Sequence, residues 1–163
     1  NGVLIPFYKQ IGQTGLELQR VAEAWLWKLE AIHRSGQGSD FEALTGGFEY
    51  TLSGLLETQM DLGVIGEWLY DSRGKKATTP FENDLMGGLR LAVNDIAGTE
   101  LLIGLVQDMD QASKLVSIEG RRRITDHWKI EIEGLILMQQ SENDLLYPQR
   151  ADDFLQVSLS YYF

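Results

Sequence analysis

Two histidines, no cysteine and a few closely spaced carboxylates make up the reactive inventory of this 163-residue chain. His127 falls in an expected turn beside Trp128, and His33 close to an expected strand end. Each therefore reads as a surface histidine rather than as half of a shared ligand or base pair. Glu131 and Glu133 point the same way from one segment, but simple alternation along a strand produces that without any catalytic purpose. Asp108 with Asp110, and Asp152 with Asp153, are spaced to touch a Ca²⁺ ion at a loop, yet neither stretch carries the ligands of a full Ca²⁺ loop. Lack of cysteine removes thiolate nucleophiles, disulfide frameworks and zinc–thiolate centres together. No Ser-x-x-Lys, Gly-x-Ser-x-Gly, phosphate-loop or His-Glu-x-x-His pattern occurs. The expectation is a non-enzymatic protein with no catalytic residue, no metal site and no cofactor.

Bulk properties narrow the partners. The formal charge is −10 and the isoelectric point about 4.6. An acidic chain repels phosphate backbones, and no basic stripe interleaved with aromatics appears, so nucleic acid is not expected as a partner. Arg121, Arg122 and Arg123 form the one basic run. Flanked by acids, it reads as a solvated or paired face. Hydrophobic residues at 44 % and charged residues at 23 % describe a folding chain, long enough for one domain. Seventeen glycines against three prolines suggest many turns or closely approaching strands. No apolar run approaches the ~20 residues of a membrane helix. The mean hydropathy of −0.17 would pass for water-soluble. That index is blind to membrane strands, where every second residue faces a polar lumen.

The elements that must carry these side chains show a period of two. Over 155–163, Leu155, Val157, Leu159, Tyr161 and Phe163 share one face, while Gln156, Ser158, Ser160 and Tyr162, with Phe154 before them, share the other. Such alternation predicts a strand with one apolar face, running to the last residue. The same pattern predicts strands over 128–139, 116–121, 100–106, 85–94, 62–71 and 44–52. Polar or turn-forming stretches separate them at 140–153, 124–126, 109–113, 95–98, 72–83 and 53–59. Residues 15–34 are ambiguous. Trp25, Trp27, Leu29 and Ala31 alternate with Leu26, Lys28, Glu30 and Ile32, with a first strand over 13–20. A helix with Leu18, Val21, Ala22, Trp25, Leu29 and Ile32 on one face fits as well. The Trp-x-Trp pair and the downstream alternation tilt this segment toward strand, giving about nine strands in up-and-down order.

A terminal Phe163, an aromatic Tyr161 two positions before it, and the alternating Leu155, Val157 and Leu159 upstream resemble the C-terminal assembly signal of bacterial outer-membrane β-barrel proteins. The motif covers about ten residues and is moderately specific on its own. The resemblance implies an all-β, antiparallel, up-and-down transmembrane barrel in the outer membrane of a Gram-negative bacterium. Its partners would be outer-membrane lipid and the barrel-assembly machinery that reads the final strand. Connections that alternate between short and long agree with short periplasmic turns and longer external loops, although 109–113 is short for an external loop and 53–59 long for a turn. Even strand counts and periplasmic ends are usual in such barrels. Nine strands would then make the chain the C-terminal part of a barrel truncated at its N-terminus, with 1–10 an external loop.

Under that resemblance the two stripes acquire roles. Trp25, Trp27, Trp68, Tyr70, Trp128, Tyr161 and Phe163 gather near strand ends, as an interfacial aromatic girdle would. Arg90, Glu100, Glu119, Arg121, Arg123, Lys129, Glu131 and Glu133, together with Lys28, Glu30, Glu49 and Glu67, would face the lumen. There they would pair across strands in a narrow barrel or line water in a wide one. The expected function is a porin-like passive pore or a structural barrel. Two alternatives stay open: a soluble all-β ligand-binding module, or an outer-membrane enzyme whose catalytic residues lie in a missing N-terminal part. A soluble sandwich would bury the oily stripe and wet the charged one, so the two orientations are opposite.

Overall fold

The protein, a computed structural model, is described at residues 8, 10–36 and 38–163. The segment 1–10, expected as an external loop, lies outside the described residues apart from Tyr8 and Gln10. Nine antiparallel strands form one sheet in the order of the sequence. They are β1 (Gly12–Ala22), β2 (Trp25–Ser35), β3 (Phe41–Leu52), β4 (Asp61–Asp71), β5 (Asn83–Ala92), β6 (Glu100–Asp108), β7 (Lys114–Arg123), β8 (Trp128–Met138) and β9 (Phe154–Tyr161). Each strand hydrogen-bonds only its sequence neighbours, so the all-β up-and-down architecture expected from alternation is what the chain adopts. The sheet is open. β1 and β9 each pair along one edge only, and no β1–β9 ladder closes a barrel among the described residues.

Local chemistry explains the elements. The ambiguous stretch 15–34 is a hairpin and not a helix. Gly12–Ala22 and Trp25–Ser35 pair residue for residue, from Gly12 opposite Ser35 to Ala22 opposite Trp25. The turn between them uses Glu23 at φ 53°, a left-handed conformation that a helix forbids. The last strand stops at Tyr161 instead of continuing to the end. Tyr162 still donates its N–H to the His127 carbonyl at 2.8 Å, and Phe163 projects beyond, fully exposed. Connections 23–24, 53–60, 93–99 and 124–127 lie at one end of the sheet, and 36–40, 72–82, 109–113 and 139–153 at the other. The two longest share that second end, called the long-loop end below.

Backbone crowding within the sheet is severe at Gly47. A Cβ on Gly47 of β3 would sit 2.5 Å from both the Gly66 carbonyl oxygen and the Glu67 Cγ of β4. Because a backbone atom cannot step aside, Gly47→Ala is expected to cost about 1–3 kcal/mol. The loss would be read as a lower urea midpoint; an unchanged midpoint would contradict this register.

Very little of the sheet is buried. Its buried side chains, Phe41, Asp71, Asp84, Asp108 and Leu137, all project from one face, at the long-loop end. There the connections fold back onto the sheet. Ser141 donates its backbone N–H to Ser113 Oγ at 3.0 Å, and Gln140 Nε2 reaches the Lys114 carbonyl at 2.8 Å. The Leu137 N–H bonds Asp153 Oδ1 at 2.8 Å, and the Arg73 guanidinium lies 3.7 Å over the Phe41 ring.

Candidate functional site

Register across nine strands sorts every strand residue onto one of two faces. One is apolar from edge to edge. A single row across it reads Leu159, Ile130, Arg122 near the 124–127 turn. The rows above it read Val157, Ile132, Gly120, Leu101, Leu91 and Leu62, then Leu155, Gly134, Ile118, Ile103, Leu89 and Val64. Its charged members, Arg20, Glu42, Lys114 and Arg122, sit toward strand ends. This face is uncovered: Leu159 is 58 % exposed and Ile132 38 %. A soluble domain would normally pack a second layer over such a surface.

Aromatic side chains border the apolar face at both ends. At the turn end Trp25 stacks on Trp27 with centroids 5.2 Å apart, and Trp128 meets Tyr161 at 4.9 Å. Tyr161 lies 6.5 Å from Phe163. At the long-loop end Trp68 and Tyr70 lie 5.6 Å apart, and Trp68 Nε1 donates to Asn83 Oδ1 at 3.1 Å. The sequence pattern missed two members of the turn-end cluster. Phe48 and Tyr50 on β3 pack against the tryptophans, Tyr50 at 4.6 Å from Trp25. Their membership follows from the β2–β3 register, which alternation alone does not fix.

The opposite face is ionic. Lys28, Glu30, Glu49, Glu67, Arg90, Glu100, Glu119, Arg121, Arg123, Lys129, Glu131 and Glu133 all lie on it. Arg121 reaches Glu100 at 2.7 Å and Lys129 reaches Glu131 at 2.6 Å. Between β7 and β8 the charges are graded. Glu119 opposes Glu133, then Arg121 opposes Glu131, then Arg123 opposes Lys129 next to the turn. Glu119, Glu133 and Arg123 form no ion pair among the described residues. A groove of about 570 Å³ runs over Arg90, Glu100, Glu119, Arg121, Glu131 and Glu133. Arg122, the middle of the basic run, points the other way and lies 3.7 Å from Asp95 in the 93–99 turn. The Asp95 carboxyl accepts both the backbone N–H and the hydroxyl of Thr99 at 2.8 Å, and these bonds hold it below the usual carboxylate range.

One ion pair spans two strand spacings. Arg90 on β5 bonds Glu49 on β3 across the intervening β4, where Gly63 leaves the space. A Cβ at Gly63 would lie 2.9 Å from Glu49 Oε1 and 3.6 Å from Arg90 Nε. The Glu49 side chain is largely buried, so its partner matters more than one at a wet surface. Arg90→Ala and Gly63→Val are each expected to cost about 1.5–3 kcal/mol. Arg121→Ala, which breaks an exposed pair, should cost about 0–1 kcal/mol. Chemical denaturation of the three variants side by side checks the order.

The histidines do not meet. His33 sits on β2 near the long-loop end, 3.6 Å from Glu42, whereas His127 lies in the opposite turn with Nδ1 2.9 Å from the Tyr162 carbonyl oxygen. The paired aspartates are occupied by turn geometry. Asp108 Oδ1 accepts the N–H groups of Asp110 and Gln111, and Asp153 accepts that of Leu137. Among the described residues no group of three or more His, Asp or Glu is arranged to hold a metal ion. No helix among them is long and apolar enough to cross a membrane, which says nothing of strands. Comparison with protein families, with curated proteins and with solved structures gave no match.

Proposed function

We propose that this chain forms the wall of a bacterial outer-membrane β-barrel, its apolar face against lipid and its ionic face toward the lumen, acting as a passive pore or structural barrel without catalysis. One observation carries the reading. The apolar face is continuous over nine strands and uncovered, while the side chains that the fold does bury lie on the ionic face, under the long connections. In water such a surface is a liability; in hydrocarbon it is the solvent-matched exterior. Aromatic clusters at both margins suit the interfaces of a bilayer, and strands of 8 to 12 residues approach the ~9–11 that a tilted span takes.

Open edges set a condition on that reading. Backbone groups along β1 and β9 lack a second neighbour, which hydrocarbon does not tolerate. Both strands run in the same direction, since both are odd in an up-and-down order. Closing the sheet with antiparallel pairs alone therefore takes an odd number of further strands. Fractionation tests the reading directly. The protein is expected in the outer-membrane fraction and is expected to require detergent for a monodisperse folded state. A folded, monomeric chain in detergent-free buffer would remove the membrane reading in favour of a soluble all-β module. Planar-bilayer conductance then separates an open pore from a packed barrel.

A further inference from the structure

At the long-loop end the ionic face holds an arrangement that neither a passive wall nor a structural barrel uses. Asp84 on β5 and Asp108 on β6 are direct cross-strand partners, 3 % and 5 % exposed. Neither forms an ion pair among the described residues, in contrast to Asp71, which Arg73 neutralises at 2.6 Å. Asp84 Oδ2 accepts only the N–H of Asn83, at 3.2 Å. Like charges directly opposed repel, and removing them from water deepens the penalty.

Two connections cover this pair. Pro80 and Phe81 come from 72–82, and Gln140 and Leu146 from 139–153; they border a small cavity with Asp84 and Asp108. The surrounding elements add more negative charge. Glu82 precedes β5, Asp110 follows β6, and Asp144 lies in 139–153, the two aspartates each close enough to act on Glu82. Lys114 at the start of β7 borders the cavity with its backbone side, but its register puts the ammonium on the opposite, apolar face. Burial, reinforced by Asp108, Asp144 and Asp110, pushes the Glu82 carboxyl above its ordinary range. The covered state also leaves Gln140 Oε1 buried without a hydrogen-bond partner, so release relieves a polar group as well as charge.

We propose that connections 72–82 and 139–153 form a pH-sensitive cover, seated over Asp84 and Asp108 when the acidic cluster holds a proton and released when the cluster is fully ionised and draws in water. The sign follows from linkage. The covered state binds more protons than the released one, so cover is favoured as pH falls and lost as pH rises through the raised range of Glu82. Whether the cover gates a lumen rests on the barrel reading; its movement does not.

Val106 borders the same cavity, and the chain has no cysteine, so Val106→Cys gives a single reporter thiol. Maleimide labelling of the full chain in micelles is measured from pH 5 to 8. Each rate is divided by that of the denatured chain at the same pH. The ratio is expected to rise about tenfold or more, since one linked proton shifts an equilibrium by up to about tenfold per pH unit. Adding Asp84→Asn with Asp108→Asn should hold the ratio flat at its protected value. A ratio independent of pH in the parent, or an unchanged rise in the double variant, would overturn the proposal. Should the double variant lose its β-type circular dichroism, Glu82→Gln alone must lower labelling at pH 8 relative to the parent; equal labelling would be equally fatal. A folded monomer in detergent-free buffer would count against the barrel and leave the labelling result standing.

Discussion

Ile103→Arg is expected to destabilise the chain by about 2–4 kcal/mol when it is folded into phosphocholine vesicles, the cost of a cation near the midplane on the lipid side of a barrel. Ile103 sits mid-strand on β6, between Leu89 and Ile118, at the centre of the apolar face. Its neighbour Leu102 points to the ionic face beside Arg90 and Glu119, so Leu102→Arg should change stability by less than about 1 kcal/mol. The contrast between adjacent residues is the informative quantity. On a soluble sheet with this face in water, Ile103→Arg would fall within about ±0.5 kcal/mol. Urea titration of vesicle-bound protein, followed by tryptophan fluorescence, gives both numbers.

The second large effect belongs to β9. Replacing Leu155, Val157 and Leu159 together with serine should abolish folding into bilayers. Each of these side chains is more than half exposed on the apolar face, and each contributes roughly 1.5–3 kcal/mol when removed from water. Their combined loss rivals the roughly 5–15 kcal/mol that holds a typical domain together. The same residues form the motif that resembles an assembly signal, so insertion in cells should fail too. Gel mobility of unheated samples separates folded from unfolded chain. A triple variant that still folds in vesicles, or that folds well in plain buffer, would contradict a lipid-facing β9.

Much of this architecture was legible because a period of two survives any tertiary context. Strands β3 to β9 follow the alternation closely, with ends shifted by a few residues. At β7 the strand extends to Lys114 and Arg123 because ladder bonds continue past the last alternating apolar residue. Residues 15–34 read as strand through the Trp-x-Trp pair and the downstream alternation, which the hairpin bears out, although their own periodicity did not separate strand from helix. Their apolar residues satisfy both periods, and the hairpin turn at Glu23 and Ala24 lacks the Asn-Gly or Gly signal that marks such turns. The ionic stripe was readable as a stripe, but its pairing was not. Arg90 finds Glu49 across a whole strand because Gly63 leaves room, a fact that appears only once three strands are in register. Phe48 and Tyr50 were missed for the same reason. Folding of 72–82 and 139–153 onto one face was equally invisible, since polar composition marks a loop without saying which way it turns. The acidic cluster formed under them showed in local sequence only as the Asp108 and Asp110 pair, with nothing to join it to Asp84, Glu82 or Asp144.

Orientation is the claim on which the rest depends, and quenching in bilayers measures it most directly. Single cysteines at Ile103, Ile132 and Leu159, and at Glu131, Glu133 and Ser158, would each carry a small fluorophore in the otherwise cysteine-free chain. Lipids brominated along the acyl chain should quench the first three strongly and the second three little, while aqueous iodide should show the reverse wherever the lumen is wet. Iodide reaching Leu159 and Ile103 as readily as Glu131, with no effect of brominated lipid on either, would place the apolar face away from the membrane and contradict the barrel.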